Sequence, residues 1–459
     1  MDALRCGLLN SKYFNIFEML KSRGLVAFSI VFGLFFMQTT FYFLGVPWSK
    51  TATIIFYSVT FLWVMVCTLS LREMIQRFNL IDACYLFFVS VVFLSLYNSS
   101  QNRGFDYRIW SFFMLMVIVP YISGRCIGDR ENLDVFRKII LFAGLIIMPL
   151  LVVDRLLFQI IEHGRTAFFG MNHSPLMIGA LLTAALICLQ SYVLSSGMFG
   201  HVQSRIMKFT GYALLCIMTG CLIWVSARGW LVAWIVGALA MTWMVKRVKL
   251  SKRITVMLVI ILTTASFVKF IHFIDPDFGA VYLIAGDALN VDSYFKLEEA
   301  GSVLVAATPV LGQASCAPLK IGVDSIAIRW VLYQEAIHMF LQKPLYGVGA
   351  GAFGWYSCLG FDGYPHSTGL QVISELGVLG GVIFVVLIAL SGVTFIREIR
   401  GVQSVNEMLV TTFLASLFVS VCVADQIYGN FFMALAFWLL IGISASIRGD
   451  SCLRNRVNV

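Results

Sequence analysis

Arg228 stands in Ser226-Ala227-Arg228-Gly229-Trp230, a very tight turn between two apolar runs. Arg165 opens a second short connection, Arg165-Thr166-Ala167-Phe168-Phe169-Gly170, and Arg103 and Arg108 share a third. A guanidinium is costly beside hydrocarbon and keeps its charge, so an Arg at the edge of an apolar run calls for an anionic partner. Phosphate suits its planar fork of donors. Each of these arginines also fits simple snorkelling to lipid headgroups; several on one face favour a shared anionic ligand.

His366 follows Pro365 at the head of another apolar run, Pro365-His366-Ser367-Thr368-Gly369-Leu370. An imidazole titrates near working pH and can act as a general base at a membrane surface, although the same residue also serves as a polar cap on a helix end. Glu375 lies about two turns further on, where a carboxylate must be neutral or paired; it is either a structural hydrogen-bonding group or part of a site. His338 shares a helical stretch with Glu335, but no second pair gives metal-ligand spacing, so neither a metal nor another cofactor is expected. The glycines at 347, 349, 351 and 354 allow close backbone approach. They do not open a nucleotide-binding βα unit, and the chain holds no Walker motif.

The elements that must hold these residues follow from composition. Of 459 residues 59% are apolar and 12% charged, and the mean hydropathy is +0.88, which places the chain in a bilayer. Runs of about 20 apolar residues predict about twelve transmembrane helices and an all-α polytopic fold. The expected spans are 25–46, 51–70, 80–97, 109–123, 139–158, 174–196, 209–227, 230–245, 254–274, 368–395, 407–424 and 431–447. The net charge of +9 speaks through its distribution rather than for nucleic acid. Arg72, Arg77, Arg125, Arg130, Arg137, Lys138, Arg205, Lys208, Lys246, Arg247, Lys249, Lys252, Arg253, Arg397 and Arg400 all fall on one side. By the positive-inside rule this side is the cytoplasm, both termini lie there, and the arginines above face outward. No cleavable signal peptide is expected.

Three domains are expected: an N-terminal bundle of about nine helices over 1–274, a large external loop over 275–367, and about three helices over 368–459. Within the loop, Ile326, Trp330, Tyr333, Ile337 and Phe340 recur at helical spacing and predict an amphipathic helix that packs on this one apolar stripe. Cys316 and Cys358 both fall in the loop, where an oxidising compartment permits a disulfide.

From Arg329 onward the sequence resembles the O-antigen ligase and polymerase superfamily of membrane glycosyltransferases. The resemblance rests on Arg329 and Ala336, then Pro344-Leu345-Tyr346-Gly347-Val348-Gly349 with Gly351 and Phe353, then His366-Ser367, Leu370, Glu375-Leu376-Gly377 and Gly380. Ser226-Ala227-Arg228-Gly229, and Arg165 followed by Phe169-Gly170, extend it. It implies a GT-C-like enzyme of the bacterial inner membrane, working at the periplasmic face without a metal. The donor would be glycan on undecaprenyl diphosphate, and membrane lipids would surround the carrier's tail. His366 and Arg228 would be catalytic, and Arg165, Arg329, Arg103, Arg108 and Glu375 would bind substrate. One dominant external loop is similar to the ligases, whose acceptor is the lipid A core. The alternatives are a polymerase, whose acceptor is a second carrier-linked repeat, a protein O-glycosylation enzyme and, from another class, a twelve-helix transporter.

Overall fold

The computed structural model describes residues 77–103, 109–110, 113–128, 130–158, 161–162, 165–166, 174–195, 205–225, 228–245, 250–274, 325–357, 364–402, 404–429 and 434–457. The expected spans at 25–46 and 51–70, Arg108, and the proposed Cys316–Cys358 bridge lie outside these residues. In chain order the described helices are α1 (Leu80–Arg103), a π-helical turn (Met114–Ile118) running into α2 (Val119–Ile127), α3 (Arg130–Phe158), α4 (Ser174–Ser195), α5 (Arg205–Trp224), α6 (Arg228–Met244) and α7 (Leu250–Ile274). Then come α8 (Ser325–Gln342), the short α9 (Phe353–Tyr356), α10 (Thr368–Gly401), α11 (Val405–Tyr428) and α12 (Leu435–Val457). A two-residue antiparallel ladder, β1 (Ile161–Glu162) with β2 (Arg165–Thr166), is the only strand pairing among the described residues.

Ten of the expected spans lie wholly or largely among the described residues, and the described part of each is almost entirely helical. Four helical stretches, Leu80–Ser99, Leu250–Phe267, Thr368–Gly401 and Glu407–Tyr428, are long and apolar enough to cross a membrane. Their outer faces carry Phe87, Leu94, Leu262, Val382 and Val385 in the open, a surface suited to lipid and not to water. The protein is a membrane protein with an all-helical body.

Small residues set the packing, as they must where lipid offers no hydrophobic penalty for separating helices. Side chains at Gly124 of α2 and Gly442 of α12 would strike the backbone of the opposite helix, so these two helices touch through their main chains. Gly237 of α6 likewise faces Ser416 and Ser420 of α11. α11 packs against α3, α4, α6, α10 and α12 and forms the hub of the bundle. It begins with a capping box, in which the Ser404 hydroxyl accepts the Glu407 N–H at 3.2 Å.

One end of the bundle holds paired charges. Arg125 is buried in α2, where its Nε lies 2.9 Å from Asp82 of α1, and the Tyr121 hydroxyl donates to the same carboxylate at 2.7 Å. Arg137 and Lys138 both reach Asp134 at this end.

The helix expected in the external loop is present as α8, but it packs on a different stripe. Leu332, Ala336 and Met339 are buried against Val348, Ala352 and Phe353. Trp330 and Ile337 of the expected stripe face outward, as does Leu341. The helix is apolar on two sides, so periodicity identifies a helix without choosing which side meets the protein.

α10 is interrupted. Gly377 has φ 67° and ψ −162°, outside the helical region. An unbroken helix would pair the Ser374 and Glu375 carbonyls with the Val378 and Leu379 N–H groups. Here the stretch Pro344–Gly349 takes all four: Val348 and Gly349 donate to those carbonyls at 2.9 and 3.0 Å, and the Pro344 and Leu345 carbonyls accept from Val378 and Leu379 at 2.7 and 3.4 Å. A Cβ at Gly377 would strike the Leu345 backbone, so both its conformation and its surroundings require glycine. Gly377→Ala is expected to destabilise the protein by roughly 1–2 kcal/mol through the left-handed backbone alone, with more from the collision. Thermal melting in detergent and protease cleavage between 343 and 353 measure this; an unchanged melting point and cleavage rate would show that the junction tolerates a side chain.

Candidate active site

At the end of the bundle away from Asp82 and Arg125, three elements converge on the last turn of α11: the head of α10, the start of α6 and α8. The Gln426 carbonyl oxygen accepts from the Ser367 hydroxyl at 3.0 Å and from the Gly369 N–H at 3.2 Å, which ties the head of α10 to α11. Ser367 also caps α10 by accepting the Leu370 N–H at 3.4 Å. Two residues beyond Gln426, the Tyr428 hydroxyl accepts the Gly229 N–H of α6 at 2.8 Å. The Arg329 guanidinium of α8 sits over the Tyr428 ring, 5.1 Å from its centroid, in a cation–π contact.

His366, one residue before the cap, has φ 51°, the one positive φ outside glycine among the described residues. Such a backbone costs roughly 1–2 kcal/mol and persists only where the surroundings hold it. Buried Pro365 and buried Ser367 flank it here. Its ring lies 4.2 Å from Tyr364 at a tilt of 49°. Burial pushes the Tyr364 phenol above its usual pKa, and the positive charge of Arg329 opposes that shift without cancelling it. Tyr364 is therefore neutral at physiological pH, and Arg329 stands within electrostatic reach of it.

Of the residues singled out from the sequence, Arg329 and His366 belong to this cluster by their side chains. Arg228 belongs by its backbone, as the first residue of α6 and the neighbour of Gly229. Arg103 closes α1 one turn beyond Ser99, which abuts Gly349, so it lies at the same end. Arg165 sits in β2, opposite Glu162. Among the described residues no three metal-ligating side chains come together.

Glu375, expected to bind substrate, resolves toward the structural one of its two readings. It is 1% exposed, and its carboxylate accepts the Gly351 N–H at 2.7 Å, the Phe353 N–H at 3.4 Å and the Gln371 amide at 3.2 Å. The glycines at 347, 349 and 351 all have positive φ, and the run disperses its N–H groups: Gly347 donates to the Lys343 carbonyl, Gly349 to the Glu375 carbonyl and Ala350 to the Ser95 hydroxyl of α1, while Gly351 and Phe353 turn to the Glu375 carboxylate. Beside this clasp a groove of about 520 Å³ runs between α1 and the loop, lined by Leu94, Ser95, Ser99, Tyr346, Leu376 and Leu379.

Asp425, Gln426 and Tyr428 were not singled out from the sequence. Their signal was present: an acid and an amide in the last turn of an apolar run, where ionisable groups are scarce unless they serve a purpose. Asp425 Oδ2 is buried without a hydrogen-bond partner among the described residues.

Replacing Glu375 by Gln puts an amide where two N–H groups need acceptors. A loss of roughly 1–3 kcal/mol and faster hydrogen exchange at Gly351 and Phe353 are expected. Exchange unchanged from wild type would remove the clasp.

A family model described as O-Antigen ligase (Wzy_C) matches residues 213–385. The match begins within α5 and ends within α10, so it takes in Arg228, Arg329, His366 and Glu375 and leaves out Arg103, Arg108, Arg165 and the last turn of α11. A search among curated proteins finds no match. Residues 213–385, which hold the starts of α6 and α8, the His366 loop and the clasped glycine run described above, are thus similar to the O-antigen ligase family.

Proposed function

We propose that this protein is an O-antigen ligase that moves glycan from undecaprenyl diphosphate to the lipid A core at the periplasmic face. The observation that carries this reading is the convergence, on one turn of α11, of the α6 start at Arg228, the Arg329 guanidinium and the His366 loop. In this reading the acceptor hydroxyl gives its proton to His366 while its oxygen forms the new bond to the anomeric carbon. The bond from that carbon to the diphosphate oxygen breaks, and the electron pair leaves with the diphosphate. Attack from the face opposite the leaving group inverts the anomeric centre.

Arg228 and Arg329 would meet the charge that grows on the departing diphosphate, a stabilisation that fixed cations supply without rearranging. Arg103 and Arg165, at or near the same end, would bind the outer part of the donor. The groove beside α1 is open to the lipid-facing surface and offers the polyprenyl chain a path. The remaining architecture follows from the same reading: about twelve spans in a GT-C-like arrangement, both termini in the cytoplasm, and residues 275–367 as a periplasmic cover between bundles 1–274 and 368–459. A transporter would gather its polar groups at mid-membrane; here they gather at helix ends, which favours the ligase. A polymerase would use the same chemistry with a different acceptor.

Purified protein given carrier-linked glycan together with lipid A core or a second carrier-linked unit discriminates by which acceptor is extended. Extension of the second carrier alone would replace ligase by polymerase. His366→Ala should lower transfer by roughly 10²–10⁴-fold or more while leaving donor binding intact. Retained full activity removes the general base. Arg228→Lys keeps the charge and loses the fork, so donor affinity should fall roughly ten- to a hundredfold; unchanged affinity would assign Arg228 to lipid headgroups.

A further inference from the structure

The two arginines lie on α6 and α8 and the histidine in the loop that leads into α10, and nothing in their own sequence neighbourhoods fixes the distances between them. The last turn of α11 touches all three helices. We propose that Gln426 and Tyr428 are positioning residues with divided duties: Tyr428 sets the spacing of Arg228 and Arg329, and Gln426 sets the placement of His366. This inference rests on the ligase reading for its substrates and adds the two residues that hold the site in register, both outside the family match.

For Tyr428 the geometry has two halves. Its hydroxyl accepts the N–H of Gly229, in the first turn of α6, where helix N–H groups lack partners of their own. That contact holds the helix start one residue from the Arg228 backbone. Its ring carries the Arg329 guanidinium at 5.1 Å. The approach of α6 is so close that a Cβ at Gly229 would run into the Tyr428 ring, so the spacing leaves no room for slack. One rigid side chain with two rotatable bonds thus bridges the two guanidinium-bearing helices.

For Gln426 a single oxygen accepts from both Ser367 and Gly369, the residues on either side of the first residue of α10. His366 immediately precedes Ser367 and holds a left-handed backbone that needs support from its flanks. The amide oxygen acts here only as an acceptor, so a carboxylate can replace it and a hydrocarbon cannot.

The two duties separate in kinetics. With the full-length protein, carrier-linked glycan and lipid A core, Tyr428→Phe should raise the donor KM about five- to tenfold with kcat within about twofold of wild type. Tyr428→Leu, which also removes the ring beneath Arg329, should raise it further. Gln426→Leu should instead lower kcat about tenfold or more, leave the donor KM unchanged and shift the limb of the pH profile that reports His366. Gln426→Glu should restore most of kcat. Direct binding of undecaprenyl diphosphate without glycan should weaken in Tyr428→Phe and stay unchanged in Gln426→Leu. Variants that lose kcat and donor affinity together, in proportion to their melting temperatures, would reduce both residues to structural supports and overturn the proposal. So would kinetics identical to wild type. Wild-type protein that binds no undecaprenyl diphosphate would overturn the ligase reading and this inference with it, whereas equal binding by wild type and Tyr428→Phe would overturn this inference alone.

Discussion

A helix interrupted in apolar surroundings leaves carbonyls and N–H groups without partners, and each such group costs several kcal/mol in hydrocarbon. α10 is interrupted at Gly377, and the structure answers by exchanging two intrahelical hydrogen bonds for four with the stretch Pro344–Gly349. The exchange couples two parts of the chain that would otherwise be independent. The segment that follows α8 cannot drift from the helix that follows His366, because the backbone of each completes the other. Glu375 then fastens the next turns of the segment through the Gly351 and Phe353 N–H groups.

This coupling explains why so many glycines crowd one short run. A segment that must fit into a helix break, reach α1 and then meet a carboxylate has to change direction at short intervals, and positive φ at 347, 349 and 351 allows those turns. The buried charge of Glu375 is met by backbone and by Gln371, which removes it from the set of groups free to hold a substrate. At the open end Arg329 lies over Tyr428 and Tyr364 against His366, with Asp425 Oδ2 buried in the same turn of α11.

The two ends of the bundle treat charge differently. At the end bearing Asp82, Arg125, Arg137 and Lys138 are matched by Asp82 and Asp134. At the other end Arg329 rests on an aromatic face and the starts of α6 and α10 are held by side-chain oxygens of α11. A guanidinium held on an aromatic face, as Arg329 is, leaves its in-plane donors directed away from the ring. The hub position of α11 makes its last turn the natural place to coordinate three helices, since it already packs against most of the bundle.

The membrane character and the positions of the long apolar helices were legible in the sequence, because hydrocarbon demands long apolar runs and the chain records them directly, while the short α9 and the π-helical turn left no such record. The cationic residues, His366 and the glycine run were legible for the same kind of reason: each is an exception to a strong local rule. The face of α8 was not legible, since a helix apolar on two sides satisfies the periodicity either way until a neighbour arrives. The role of Glu375 was open for a related reason; its partners lie 24 and 22 residues earlier in the chain, and only folding brings their N–H groups to it. Gln426 and Tyr428 lie 57 and 199 residues from the groups they hold at Gly369 and Gly229, so their importance exists only in three dimensions. Local physics wrote the elements and the exceptional residues into the sequence, while the spacing of a site shared among four helices is a property of their packing.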